Sequence, residues 1–249
     1  MKYDVIIIGS GLGGLQCGYM LAKKGLHVCV LERATLLGGC IQSFQRKGQT
    51  YDTGFHYVGG LDEGQPLHTL FSYYDLMGLG WQKMDNLFDE VNINGKSFFF
   101  AQGHQAFYQT LAEQFPHQKE NLKQYLSLLK NVGDHIFDSL QPRNTEEFYS
   151  TSLFAQSAKA FLDETITDPL LRDVLAGCSL KMELTPNLPL YTFAQINNSF
   201  IQSAWRLQGG GSSIAQKLAD SIQQMGGEVR TRAAVTQLIE KDGKLVAAL

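Results

Sequence analysis

Tyr3-Asp4-Val5-Ile6-Ile7-Ile8-Gly9-Ser10-Gly11-Leu12-Gly13-Gly14 is the stretch that decides the fold. From Tyr3 to Ile8 it is dense in Val and Ile, the composition of a strand buried on both faces. The glycines that follow fit G-x-G-x-x-G. Leu15 to Lys24 reads as a helix ending at Gly25, with two lysines in its last turn. His27 to Leu31 is a second apolar strand, and Glu32 stands at its end, 18 residues after Gly14. Strand, glycine turn, helix, strand and acid in this order predict a dinucleotide-binding βαβ unit.

Each residue type has a physical task. Gly9 permits the turn out of the strand, and Gly11, lacking Cβ, lets backbone approach a pyrophosphate. Gly14, helped by Gly18 one turn later, lets the helix lie close to the sheet. Ser10, Leu12 and Gly13 complete the turn, and the helix start offers unpaired N–H groups to phosphate. Glu32 can accept hydrogen bonds from ribose hydroxyls, and Arg33 adjoins it.

Beyond Arg33 the chain reaches a second glycine pair, Gly38-Gly39, followed by Cys40-Ile41-Gln42-Ser43-Phe44. That pair points to another close approach of backbone to the same ligand. Gly48, Tyr51-Asp52-Thr53-Gly54 and His56-Tyr57 come next. The string E-x5-GG-x3-S-F, then G-x2-Y-D-T-G-x-H-Y, resembles the FAD-dependent phytoene desaturase, carotenoid isomerase and retinol saturase group. That group lies within the wider amine-oxidase-like flavoproteins. The resemblance is specific from residue 3 to about 60, returns at Leu207 to Ile239, and is loose in between.

The resemblance implies FAD as cofactor. It gives Glu32 the adenosine ribose, and places Gly38, Gly39, Gln42 and Ser43 along the pyrophosphate, ribityl chain and flavin. It also gives the Val235 backbone to the adenine. Asp52 and Gly54 would shape the turn that leaves the flavin domain. His56 is open between a place near the flavin and a buried structural role. Cys40 is read as a neighbour of the cofactor rather than a catalytic thiol. No catalytic residue is nominated, because an apolar polyene offers few handles for acid–base chemistry and the hydride chemistry belongs to the cofactor.

The middle of the chain reads mostly as helices. Leu67 to Leu76, Gln105 to Phe115, Lys119 to Asp138, Ser157 to Ile166 and Pro169 to Cys178 carry helical spacing. Asp89 to Phe100 reads as a hairpin turning at Asn94-Gly95. Phe98-Phe99-Phe100, Phe154, Phe161, Leu188-Pro189-Leu190 and Tyr191 are apolar enough to line a tunnel, but core packing is the preferred reading. Leu207 to Ser213 then opens a helix with Ser212 or Ser213 as N-cap. Gly226-Gly227 stops it, and strands follow at Glu228 to Thr231, Val235 to Glu240 and Leu245 to Leu249.

The expected fold is therefore α/β. A Rossmann-like FAD-binding domain (1–60 and 204–249) receives a mostly helical substrate or cap domain (61–203) as an insertion. The resemblance covers the N-terminal half of its family, so the chain reads as truncated at its C-terminus, with a C-terminal half or second subunit as an expected partner. The expected function is FAD-dependent desaturation, saturation or isomerisation of an apolar polyene, a carotenoid, retinoid or related lipid. An amine-oxidase-like enzyme on a polar substrate, or a non-catalytic FAD-binding fragment, stays open as an alternative.

Bulk properties bound this reading. The 249 residues suffice for one or two domains, and the net charge of −3 without a basic cluster argues against nucleic acid. The four cysteines, Cys17, Cys29, Cys40 and Cys178, form no C-x-x-C pair, and Cys17 is placed on the packed helix. The six histidines are scattered, so no metal site is expected. There is no secretory signal and no membrane-length apolar run, so a cytoplasmic protein is expected. Its apolar substrate allows a peripheral membrane contact.

Overall fold

The structure, a computed structural model, describes residues 2–137, 149–177 and 183–249, at 149–151 by backbone alone. Cys178 and the expected helix ends at Asp138 and Cys178 lie outside the described residues. In chain order the elements begin β1 (Val5–Ile8), α1 (Leu12–Lys23), β2 (Val28–Leu31), β3 (Ser43–Arg46), β4 (Gln49–Asp52), β5 (Val58–Gly59), α2 (Pro66–Tyr73) and β6 (Trp81–Lys83). Next come β7 (Leu87–Ile93), β8 (Lys96–Ala101), α3 (His104–Gln114), α4 (Lys119–Asp134), α5 (Tyr149–Phe154), α6 (Ala158–Thr165), α7 (Pro169–Ala176) and α8 (Leu190–Gln202). The chain closes with β9 (Ala204–Leu207), α9 (Ser212–Gln224), β10 (Glu228–Arg230), β11 (Leu238–Lys241) and β12 (Lys244–Ala248). They form two compact units: residues 1–57, 70–82 and 206–249, and residues 58–69 and 83–205.

The first unit is built on a parallel sheet in the order β1-β2-β10. Val5 pairs with Val28 and Glu228 with Cys29. Helix α1 can lie on β2 because residue 18 is glycine. A Cβ there would stand 2.9 Å from Ile222 Cδ1 on α9 and 3.2 Å from Val30 Cγ2. Gly18 is thus the point where α1, α9 and the sheet meet. Leu15, Val28, Val30 and Leu218 are fully buried, and Ile222 with them.

Two expectations are corrected here. β1 is not buried on both faces, since Ile6 is 40% and Ile8 56% exposed. Strand side chains alternate, and the face carrying Ile7 and Val30 is the one that approaches Gly18 of α1. Cys17 is exposed rather than packed, because the neighbouring Gly18 takes the inward position on α1.

The loop into α9 also differs from its sequence reading. The residue before the helix is Gly211, with no side-chain cap. Ser212 Oγ instead accepts from the Ser43 N–H at 2.7 Å. Asp52 Oδ1 accepts from the Gly211 N–H and from Ser43 Oγ, both at 2.8 Å. Gly210 has φ +77°, and any Cβ there would run into Asp52 and Ser43. Ser212, which looks like a cap, is therefore spent on β3, and the β3–β4 hairpin turns at Lys47-Gly48. The strand expected from Val235 begins only at Leu238, and residues 231–237 are irregular.

The second unit is held by helices. α4 buries Leu122, Tyr125, Leu126, Leu129 and Val132, the three-and-four spacing of one helical face. It crosses α8 at Gly133, where a Cβ would collide with Asn198. The β7–β8 hairpin turns at Asn94 and Gly95, both at positive φ, and Ile93 pairs with Lys96. Its Phe98 stacks on Phe115 at 5.5 Å and its Phe100 leans on Phe107 at 5.2 Å. Phe98, Phe100 and Leu190 are buried, which is core packing, whereas Phe154 is 51% exposed. Helix α8 has no counterpart in the sequence reading, because buried Asn197 and Asn198 interrupt its apolar stripe. Asn198 Oδ1 meets His104 Nε2 at 2.7 Å, which satisfies that buried carbonyl.

Two substitutions test these contacts. At Gly59 of β5 a Cβ would fall on the backbone of Ser199 and Phe200, which cannot move aside as a side chain would. Gly59→Ala is expected to destabilise the protein by about 2 kcal/mol, read from urea unfolding. Asp52→Ala strands the Gly211 N–H and the Ser43 hydroxyl, at an expected cost of about 2 kcal/mol. Asp52→Asn keeps an acceptor oxygen there and should recover much of that loss.

Candidate functional site

A cavity of about 460 Å³ opens where β1 and β2 end. It is lined by Ile8, Gly9, Leu31, Glu32, Arg33, Gly39, Ala233, Ala234 and Val235. The carboxyl ends of parallel strands are where such sheets bind ligands, since the loops there diverge to either side. Gly9 has φ +99°, a conformation that lets the chain turn from β1 into α1. Gly14 packs so closely that a Cβ would strike the Gly9 carbonyl oxygen. At Gly11 and Gly13, by contrast, a Cβ would meet nothing within 4 Å. α1 begins with no side-chain cap and no acidic residue in its first turn. Its first N–H groups are thus suited to an anion.

Glu32 is the charged centre of this cavity and is only 9% exposed. Its Oε2 accepts from the Ser10 N–H at 2.8 Å and from Ser10 Oγ at 2.7 Å, and its Oε1 from the Ala34 N–H at 2.8 Å. The Ala34 N–H holds the carboxyl below the usual carboxylate range. The Ser10 donors and the Arg33 charge act the same way, against the desolvation that burial brings. The Glu32 backbone is fixed as well. Its N–H donates to the Arg230 carbonyl and its carbonyl accepts from the Ala233 N–H, both at 2.8 Å.

Tertiary folding brings the second glycine pair to the first. The Gly38 N–H donates to the Ser10 carbonyl at 2.9 Å, and Gly38 bridges to Gly11. Gly38 and Gly39 both have positive φ, and a Cβ on Gly39 would stand 3.2 Å from Gly11 Cα. Gly39 thereby reaches the cavity. Gln42 and Ser43 are not among the lining residues. The Gln42 side chain donates to the Leu36 carbonyl at 2.9 Å, and Ser43 belongs to the Asp52 network. Cys40 and His56 are exposed, so His56 is not the buried residue considered from sequence.

Of the residues singled out from sequence, Gly9, Glu32, Arg33, Gly39 and Val235 line the cavity together. Ser10 is completely buried behind Glu32, and Leu12 sits at the start of α1. Ala233 and Ala234 line the cavity without having been anticipated. They are carried there by Arg232, whose N–H donates to the Ala34 carbonyl at 3.0 Å, and by the Ala233–Glu32 bond. Two alanines in an irregular segment leave no pattern in a sequence. A second, polar cavity of about 280 Å³ is lined by Thr50, Asp52, Gln82, Arg206, Leu207, Gln208, Gly209 and Gly210. Among the described residues no cluster of His, Cys, Asp or Glu could hold a metal ion. Among them, too, no helix is long and apolar enough to cross a membrane.

Residues 7–74 match the model of the NAD(P)-binding Rossmann-like domain. The chain is 30% identical over 264 residues to the all-trans-retinol 13,14-reductase of Homo sapiens, covering 98% of itself and 43% of that protein. It is 27% identical over 271 residues to the chloroplastic prolycopene isomerase of Arabidopsis thaliana, covering 98% of itself and 44% of the relative. The chain thus spans less than half the length of these curated relatives. A solved oxidoreductase from Methanosarcina mazei shares the fold with a TM-score of 0.64 at 20% identity, over 98% of this chain and 55% of that one. Putrescine oxidase bound to putrescine does so with a TM-score of 0.60 at 20% identity, over 94% of this chain and 52% of that one. Along nearly its whole length, then, the chain is similar to retinol 13,14-reductases and prolycopene isomerases, on a Rossmann-like α/β fold shared with putrescine oxidase.

Proposed function

We propose that this chain contributes the dinucleotide-binding part of an FAD-dependent oxidoreductase or isomerase acting on an apolar polyene. The observation that carries the reading is the cavity itself, with an uncapped helix start, two open glycine positions and a fixed Glu32 carboxylate at one strand-end opening. Those donors suit a pyrophosphate next to a sugar hydroxyl, so the residues present fit the ADP part of FAD. Gly9, Gly11, Leu12, Gly13 and Gly14 would hold the pyrophosphate. Glu32 would accept from the ribose, with Arg33 beside it, while Val235 and its neighbouring alanines would flank the adenine. Gly38 and Gly39 would bring backbone close to the remainder of the cofactor. Gln42 would act there by bracing the second glycine loop through the Leu36 carbonyl, and Ser43 by joining Asp52 in bracing the loop before α9.

The hydride chemistry is supplied by the flavin when bound. The polypeptide's contribution is to bind, orient and exclude water. The mostly helical unit, 58–69 and 83–205, is proposed to cover the apolar substrate. The polyene-acting names of the relatives favour such a substrate for this chain. A second reading, a flavoenzyme oxidising amines, is favoured by the fold shared with putrescine oxidase. A peripheral membrane contact would give a lipid-dissolved polyene its route, and a further polypeptide segment is the expected partner.

The test is an absorbance spectrum of the purified chain after loading with FAD and removal of the excess. A retained flavin band with vibronic structure is the expected outcome, loss of flavin from the chain alone calls for the expected partner segment, and loss of flavin with that segment present counts against the reading. Anaerobic addition of retinoids or carotenoids, and separately of amines, then divides the two substrate classes. Spectral change with amines and none with polyenes would reverse their order.

A further inference from the structure

We propose that Ser10 is a positioning residue for dinucleotide recognition: its buried side chain holds the Glu32 carboxylate in the orientation that the ligand's sugar meets. The inference rests on the FAD reading and deepens it, since the glycine motif by itself assigns Ser10 only a backbone place in the turn.

Ser10 is 0% exposed, so its hydroxyl cannot touch a ligand in the cavity. It donates at 2.7 Å to Glu32 Oε2, which also takes the Ser10 N–H at 2.8 Å. One residue therefore clamps one carboxylate oxygen with two donors. An ionised carboxylate has about four acceptor sites. Ser10 fills both on Oε2 and Ala34 fills one on Oε1, which leaves the free capacity on Oε1. A carboxylate held in this way accepts a sugar hydroxyl without first reorienting, and it repels a phosphate at the same place.

The Ala34 N–H does most to hold the Glu32 carboxyl below the ordinary carboxylate range, and the Ser10 N–H and hydroxyl act in the same direction. Among the described residues, Arg33, on the same segment, is the charged group that acts on this carboxylate. On β10, Arg230 is engaged with Glu228. Ile8, Gly9, Gly39, Ala233, Ala234 and Val235 around the cavity carry no charge. A carboxyl held low stays charged as pH falls. Removing a donor raises its pKa, so the charge is lost at a higher pH.

Native chain, Ser10→Ala and Glu32→Gln are compared by two readouts. One is FAD affinity at several pH values, and the other is NMR titration of the Glu32 carboxyl, with urea midpoints as the folding check. Native Glu32 is expected to titrate below the ordinary value of about 4.3, and Ser10→Ala to move it upward. Ser10→Ala is also expected to weaken FAD binding about tenfold at neutral pH, as fits loss of one hydrogen bond to a charged group. As pH is lowered, its affinity should begin to fall at a higher pH than that of the native chain. If Glu32→Gln loses affinity while Ser10→Ala leaves titration and affinity unchanged, the positioning role is overturned and the cofactor reading stands. If Glu32→Gln binds FAD as tightly as the native chain, the cofactor reading fails and takes the positioning role with it.

Discussion

Close approach of backbone to backbone is the constraint on which the first unit depends. At Gly14, α1 comes so near β1 that the Gly9 carbonyl occupies the space of a side chain, and at Gly18 it meets β2 and α9. A Cβ at either point would lift the helix from the sheet. The start of α1 would then no longer lie at the strand ends, and the cavity bounded by Gly9, Glu32 and Gly39 would lose its wall. The glycines thus act through packing, and that packing sets the shape of the cavity.

The same constraint recurs in the second unit, where Gly59 and Gly133 let β5 and α4 approach α8. There the buried polar groups Asn198 and Ser203 are satisfied internally. Asn198 meets His104, and the Ser203 hydroxyl accepts from the Leu61 N–H at 3.0 Å. In the first unit, by contrast, the cavity keeps free donors at the start of α1 and spare acceptor capacity on Glu32. Unused hydrogen-bonding capacity at an opening is what separates a binding site from a packed core.

The Asp52–Ser43–Gly211 network adds a second fixed point. It ties the β3–β4 hairpin to the loop before α9, 159 residues away in sequence. Through α9 the constraint reaches Ile222 and hence Gly18. The polar network and the apolar junction therefore hold the same helix from opposite ends.

Much was legible in the order of residue types alone. Val5 to Glu32 announce strand, turn, helix, strand and acid, because each step has a strong local cause: β-branched runs, glycines and a charged strand end. The Asn94-Gly95 hairpin and the face of α4 were readable for the same reason. Tertiary contacts decided the rest. Ser212 looks like a helix cap, but a partner 169 residues away takes its hydroxyl. Asn197 and Asn198 hide α8, since a polar residue in a sequence does not announce the buried partner that satisfies it. Gln42 and Ser43 carry the right motif, yet their side chains brace neighbouring loops, while Ala233 and Ala234 line the cavity with no motif at all. Local preference determines which elements form. Which side chains face a ligand is set by long-range bonds such as Ala233 to Glu32, and those exist only once the chain has folded.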